Sequence, residues 1–172
     1  MPRNLEFKIS YGTKLNKKDE RVTLTEFSCV IDKIKNGTDG LVGKIAELCK
    51  LSTIEERQVY KPNNLPYFSM CTYHQNHRKN ENLSSSQHIV FDLGHLGKKL
   101  DQVRADLLKD PRTYCLFISP SGDGIKMIYT LDRVITDSNV YKQVYEYYFD
   151  QFSKTYKDIF DDRDPPPFYV AT

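Results

Sequence analysis

The chain has 172 residues, of which 39% are hydrophobic and 28% charged, and its formal net charge is +2. This length and composition predict one globular domain and exclude a disordered chain. No stretch approaches the roughly 18 apolar residues of a membrane span, and the N-terminus lacks a signal-peptide core, so we expect a cytoplasmic protein without membrane contact. The nearly neutral charge leaves nucleic-acid binding open, because such binding depends on where the basic residues lie.

The first part of the chain predicts one strand followed by two helices. Residues 5–11 alternate between apolar and polar side chains, which is typical of a strand. Thr23 and Glu26 have the spacing of a capping box, so we expect a helix to begin there. The apolar pattern of residues 41–49 predicts a second helix.

Residues 53–87 carry weaker signals. The polar segment 53–64 ends in KPNN, which favours a turn, and residues 65–73 favour extended structure. A polar loop with basic residues follows at 74–86. Cys71, His74 and His77 are zinc-type ligands, with His95 downstream, at a spacing that fits no common structural finger. The cysteines show no CxxC motif, and we expect buried free thiols.

From residue 88 the pattern is clearer. HIVFDL (88–93) is typical of a buried strand, and an amphipathic helix follows from Leu100 until Asp110-Pro111. Two further strands, 113–119 and 125–131, are separated by a short loop and predict a hairpin. A long aromatic-rich helix begins at Ser138, and the tail could add a short strand.

The element order from residue 88 is β-α-β-β-α, with a possible final β. This order predicts an α+β, ferredoxin- or RRM-like sheet with one open face over residues 88–172. Residues 1–87 would form an N-terminal subregion of the same single domain, with a strand and helices.

Asp92 is the first candidate site residue. A carboxylate inside a buried strand is costly unless it is paired or binds a cation. Residues 92 and 94 of a strand share a face, and an Asp-x-Asp pair there would hold Mg²⁺ or Mn²⁺. This chain has Gly94 at the second position, so half of such a pair is missing. Alternatively, Asp92 caps the turn that follows the strand.

The segment SPSGDGIK (119–126) is the second candidate. Its serines and glycines can turn backbone N–H groups inward as an anion nest, and Lys126 can neutralise a phosphate. The alternative is an ordinary hairpin turn, because SGDG is favourable turn chemistry by itself.

Two sets of charged residues are the remaining candidates. The acidic tail contains Asp158, Asp161, Asp162 and Asp164, one of which could complete a metal site begun by Asp92, although a solvated tail is the alternative. The basic residues that could contact a nucleic-acid backbone are Arg78, Lys79, Lys98 and Lys99.

In this order, the segments KPNNLPYF, HRKNENL, SSQHIVFDLGHL and LFISPSGDGIKMIY resemble the VirE-type N-terminal domain of replication and mobile-element proteins, which is similar to the archaeo-eukaryotic primase superfamily. The resemblance spans roughly residues 58–160. Asp92 matches the first acid of the family's strand motif. The Ser- and Gly-rich turn motif with its basic residue is matched by Ser119, Ser121, Gly122, Gly124 and Lys126.

This resemblance implies template-directed nucleotidyl transfer with Mg²⁺ or Mn²⁺ on a palm domain. It implies catalytic roles for Asp92, Asp161 and Asp162, metal binding by Asp92 and Asp161, and triphosphate binding by the turn. It also implies a single strand of DNA or RNA, and a helicase, as partners. Gly94 departs from the family at the second metal ligand, and Lys126 stands where many relatives carry histidine.

Two alternatives remain open. The first is a non-catalytic module that binds nucleotide or single-stranded nucleic acid. The second is a metal-dependent nuclease on a ferredoxin-like fold, although the chain lacks the His-x-His pair of replication initiators.

Overall fold

A computed structural model of the chain describes residues 6–15 and 21–156, which form an α+β structure with two antiparallel sheets and five α-helices. The strands are β1 (Lys8–Gly12), β2 (Thr23–Glu26), β3 (Tyr67–Ser69), β4 (Thr72–Tyr73), β5 (Leu83–Leu93), β6 (Thr113–Ile118) and β7 (Ile125–Ile135). The helices are α1 (Phe27–Asn36), α2 (Leu41–Lys50), α3 (Ile54–Asn64), α4 (Leu100–Leu107) and α5 (Ser138–Thr155).

The smaller sheet has the order β2-β1-β3, and the larger has the order β4-β5-β7-β6. Strands β5 and β6 both pair antiparallel with β7, so they run parallel to each other on either side of it. Helix α4 connects them, which makes a split β-α-β unit. The predicted hairpin of β6 and β7 is confirmed. The possible final strand lies outside the described residues. Among the described strands, β4 pairs with β5 and forms one edge of the larger sheet.

Both faces of the larger sheet are covered, because its central strands are apolar on both sides. On one face Ile89, Phe91 and Tyr129 pack against α4 and α5. On the other face, Val90 and Ile128 pack against a cluster of side chains from the first part of the chain, namely Ile9, Phe27, Val30, Phe68 and Met70. The prediction of an open face is therefore wrong, because β1, α1 and β3 cover it.

Two helix starts differ from the sequence prediction. The Thr23–Glu26 capping box does not form: these residues are strand β2, paired with β1, and α1 begins at Phe27. Cross-strand pairing takes precedence over the local capping signal here. A capping box forms instead at Thr53, whose hydroxyl accepts a hydrogen bond from the Glu56 N–H. The polar segment 53–64, for which only a turn at KPNN was predicted, forms helix α3 after the Thr53 cap, and KPNN is its last turn, with Pro62 inside the helix.

The expectation of buried thiols is wrong for most of the cysteines. Cys71 is buried, Cys115 is partly buried, and Cys29 and Cys49 are exposed on α1 and α2. Strand β5 begins at Leu83 rather than His88, since the SSSQ segment continues it past a bulge. Across the described ranges, every helix is too short or too polar to cross a bilayer.

Candidate functional site

The sheet brings Asp92 and Lys126 together. They are direct partners across β5 and β7, and the Lys126 ammonium donates a hydrogen bond to Asp92 Oδ2 at 2.6 Å. The Lys126 side chain is only 3% exposed, whereas Asp92 is 32% exposed. The pair lies on the face covered by the N-terminal elements, because β7 places Ile125 and Met127 in the opposite core. The Lys126 ammonium is therefore almost fully buried, and its hydrogen-bond acceptor is a partly exposed carboxylate.

The turn between β6 and β7 needs glycine at two positions. Gly122 has a φ of +74°, in the left-handed region that favours glycine. A Cβ on Gly124 would lie 2.5 Å from the Leu93 carbonyl oxygen, so the turn could not approach β5 with a larger residue there. These glycines place the turn directly beside the end of β5.

Two backbone N–H groups of this turn form hydrogen bonds inside it. The Ser119 N–H donates to the Gly124 carbonyl at 2.8 Å, and the Gly122 N–H donates to the Ser119 carbonyl at 2.9 Å. Both N–H groups are therefore used within the turn. The hydroxyls of Ser119 and Ser121 lie 3.2 Å apart and line a cleft.

Asp123 fastens the turn to the loop after β5. Its carboxylate accepts a hydrogen bond from the Gly97 N–H at 2.9 Å and lies 3.4 Å from His95 Nδ1. Its carbonyl accepts from the Leu96 N–H at 3.0 Å. Asp123 therefore connects the turn to the loop after β5, which fixes the position of Ser119 and Ser121 relative to the end of β5.

Helix α3 supplies two further basic side chains. Lys61 approaches the Ser121 hydroxyl at 3.4 Å, a long contact for a hydrogen bond. Burial lowers the pKa of Lys61, with the Asp92 carboxylate opposing this effect and Lys126 adding to it. Arg57 donates to the Leu51 carbonyl at 3.0 and 2.8 Å, which anchors α3 to the end of α2.

Together these elements form what we call the lysine cleft, with a volume of about 410 Å³. Its charged and hydroxylic lining is Arg57, Lys61, Asp92, His95, Ser119, Ser121, Asp123 and Lys126. Three basic side chains, Arg57, Lys61 and Lys126, face two carboxylates, so basic groups outnumber acidic ones in the cleft. Hydroxyls and partly desolvated ammonium groups form an environment suited to an anion with several oxygens.

The residues described here do not fit a divalent metal centre. They contain no group of three or more acidic, histidine or cysteine side chains that could hold an ion. The Asp92 carboxylate also faces the Lys126 ammonium, whose charge repels a cation at that position. Asp161 and Asp162, predicted to complete the site, lie outside the described residues, so Mg²⁺ and Mn²⁺ stay predictions.

The four basic residues predicted to contact nucleic acid do not line the lysine cleft. The Arg78 guanidinium lies 5.1 Å from the centre of the Tyr67 ring, and Lys79 follows it in the connection before β5. Lys98 and Lys99 lie in a 3₁₀ turn before α4. Gly122 lines a neighbouring cavity rather than the lysine cleft. His95 contacts Asp123, and within the described ranges it forms no zinc-type cluster with Cys71, His74 and His77.

Arg57 and Lys61 were missed because no helix was predicted for the polar segment 53–64. The signal that could have found them is the Thr53-x-x-Glu56 capping box, followed by a polar helix with Arg57 and Lys61 four residues apart.

The site is thus a basic cleft in an α+β chain, built where a Ser- and Gly-rich hairpin turn meets the end of a strand and a capped helix. The model of the BT4734-like N-terminal domain matches residues 61–162, and the chain belongs to this family. No curated protein and no solved structure shows a significant match to the chain.

This match corrects the resemblance drawn from the motifs. The matching family is the BT4734-like N-terminal domain, not the VirE-type domain, and no primase family matches. The motifs behind that assignment are short: one acid at a strand end, and a turn whose glycines are also required by the hairpin itself.

Proposed function

We propose that the chain is a nucleotide-binding domain whose lysine cleft holds the phosphates of a nucleoside triphosphate. The single observation that carries the proposal is that the buried Lys126 and the partly buried Lys61 line one small cleft together with two serine hydroxyls. Burying an ammonium costs free energy, and two such groups side by side repel each other. Asp92 offsets part of this cost for Lys126, and a polyanion in the cleft would offset the remaining cost for both lysines.

The geometry around Lys61 supports the same reading. Its contact with Ser121 is long, and burial already lowers its pKa, so its charged form gains more from a phosphate than an exposed lysine does. Asp92 holds Lys126 in place through a 2.6 Å hydrogen bond. The ferredoxin-like arrangement that we propose for residues 88–156 is supported by the split β-α-β order.

The test is the affinity for inorganic tripolyphosphate, measured by calorimetry with wild-type protein and Lys61→Gln. A charge-assisted contact contributes about 1.5–3 kcal/mol, so the variant should bind roughly tenfold more weakly or worse. Lys50→Gln is the matched control, because Lys50 is an exposed lysine at the end of α2. Equal affinities for wild type and Lys61→Gln, or no binding by the wild type, would overturn the proposal.

A second candidate, metal-dependent nucleotidyl transfer, requires a further carboxylate beside Asp92, and Gly94 is the position at which one can be added. Gly94 lines the lysine cleft together with Asp92, and a Cβ built on it meets nothing within 4 Å. Gly94→Asp should therefore add a carboxylate to the cleft without a clash. Gain of Mn²⁺ affinity and of labelled-nucleotide incorporation by Gly94→Asp, but not by Gly94→Asn, supports this candidate. Failure of Gly94→Asp to gain either removes it.

The remaining expectations stay predictions: single-stranded DNA or RNA as a partner, contacts from Lys98 and Lys99, a companion helicase, and a metal-dependent nuclease as the alternative activity.

A further inference from the structure

A second and larger cavity lies beside the lysine cleft, with a volume of about 670 Å³. Helices α1 and α2 form one side of it, and strands β1, β3 and β6 contribute to the other. Its aromatic lining consists of Tyr11, Tyr67, Phe68 and Phe117. Volumes of this order are typical of small-molecule sites, which are mostly apolar with a few placed polar groups.

The cavity and the cleft adjoin each other at the turn before β7. Leu65, Ser119 and Pro120 line both spaces. Ser121 then lines the cleft, whereas Gly122 lines the cavity. A ligand that passes over this turn can therefore reach the two lysines at one end and the aromatic side chains at the other.

The polar rim of the cavity narrows the kind of ligand. Thr13, Thr38 and Lys44 line it, together with the ion pair of Lys33 and Asp39. Burial raises the pKa of Tyr11, and its protonated phenol can donate a hydrogen bond. A planar heterocycle matches this combination, because its faces stack on aromatic rings while its edge exchanges hydrogen bonds with the rim. An alkyl chain would use the apolar walls alone.

We infer that this aromatic cavity binds the nucleobase of a nucleotide whose phosphates lie in the lysine cleft. The inference rests on the proposed function, since it assigns the other end of the same ligand. It makes the chain selective for nucleotides over inorganic polyphosphate, through a site built by β1, α1 and α2 together with β3 and β6.

Cys49 provides a direct readout on the wild-type protein. It is an exposed thiol that lines the cavity, and Cys29 is an exposed thiol on α1 that does not. ATP at ten times its dissociation constant should slow alkylation of Cys49 about tenfold, because only the free protein reacts, and should leave Cys29 unchanged. Tripolyphosphate should protect neither thiol. Alkylation of each is followed by peptide mass spectrometry.

A pair of variants on α2 provides the second readout. Ile45 lines the cavity, whereas Val42 on the same helix is 64% exposed and does not. Ile45→Trp should fill part of the cavity and weaken ATP binding about tenfold or more, with tripolyphosphate binding unchanged. Val42→Trp should leave both affinities unchanged.

The outcomes separate the two proposals. If tripolyphosphate binds through Lys61 but ATP binds no more tightly and does not protect Cys49, the phosphate site stands and the nucleobase site is overturned. If neither ligand binds, the proposed function itself fails and the inference fails with it. ATP binding tighter than that of tripolyphosphate, with selective protection of Cys49, supports the inference even where Ile45→Trp does not fold.

Discussion

Two acid–base pairs lie on opposite faces of the larger sheet, and their surroundings differ. The Asp110 carboxylate accepts two hydrogen bonds from the Arg112 guanidinium, at 2.9 and 2.6 Å, and one from the Arg112 backbone N–H at 3.0 Å. The Tyr129 hydroxyl donates a fourth at 2.7 Å. Its side chain is 7% exposed. Burial alone raises the pKa of Asp110, but the hydrogen bonds from Arg112 and Tyr129 outweigh it and lower the pKa to about 2.

The Asp92–Lys126 pair has one short hydrogen bond and opens on a cleft. Here the buried partner is the lysine, and the carboxylate is the more exposed member. Asp110 therefore has its hydrogen-bonding capacity filled within the fold, while the lysine cleft retains oxygens and cations that a ligand can use. The difference indicates which charged pair maintains structure and which one is available for binding.

The largest expected effect is the loss of Asp110. Asp110→Ala leaves the Arg112 guanidinium and the Tyr129 hydroxyl without their acceptor, so the free energy of unfolding should fall by about 3 kcal/mol. Urea denaturation of wild type and variant measures this. Asp132→Ala is the control, because Asp132 is an exposed acid on β7 and should change stability by less than about 0.5 kcal/mol. Equal effects of the two substitutions would remove the structural role.

The pH dependence of this stability difference sharpens the comparison. Asp110 has a folded pKa of about 2, below the unfolded value of about 3.9. Its contribution is therefore fully present above about pH 4 and is lost as the pH falls through 2. The difference in unfolding free energy between wild type and Asp110→Ala should stay constant from pH 7 to 5 and shrink between pH 4 and 2. A difference that does not change down to pH 2 would contradict the assigned pKa.

Lys126→Met tests the other pair. Methionine fills a similar volume, and the Asp92 carboxylate it leaves behind is exposed enough to be hydrated, so the free energy of unfolding should change by less than about 1 kcal/mol. Affinity for tripolyphosphate should fall roughly tenfold. Urea denaturation and calorimetry on the same preparation measure both quantities. A loss of stability as large as that of Asp110→Ala, with affinity unchanged, would make Lys126 a structural residue and end the contrast between the pairs.

The strands and helices of residues 88–156 could be predicted because their apolar periodicity is strong and each element is local. The neighbouring positions of Asp92 and Lys126 follow from the hairpin and the split β-α-β order. It could not be predicted that β1, α1 and β3 cover the face of the sheet on which Asp92 and Lys126 lie. This packing depends on β2 pairing with β1 and on α1 contacting Val90 and Ile128. Such long-range contacts override the local capping signal at Thr23.

For the same reason, only the part of the lysine cleft that comes from one continuous segment could be predicted. Ser119, Ser121 and Lys126 stand out in one segment of the chain, whereas Lys61 reaches them from a helix 60 residues earlier. Asp110 was read only as the end of a helix before proline, and its partner Tyr129 is distant in sequence. Sequence spacing alone could not show that the Asp110–Arg112 pair is structural and that the Asp92–Lys126 pair is open to a ligand, because that difference depends on burial and hydrogen bonding.

The smallest expected effect concerns whether binding extends beyond the cleft to a single strand. Arg78 lies over the Tyr67 ring, and that ring also lines the aromatic cavity, so a strand leaving the cavity could contact Arg78 and Lys79. Each phosphate contact that is lost flattens the slope of log K against log salt by about 0.7. Replacing both residues with glutamine should therefore reduce the slope for a single-stranded oligonucleotide by about 1.4, with tripolyphosphate affinity unchanged. Lys142 and Lys154, both exposed on α5, serve as the matched control pair and should leave the slope unchanged. A slope that is the same in the Arg78 and Lys79 double variant and in wild type would confine recognition to the cleft and its neighbouring cavity.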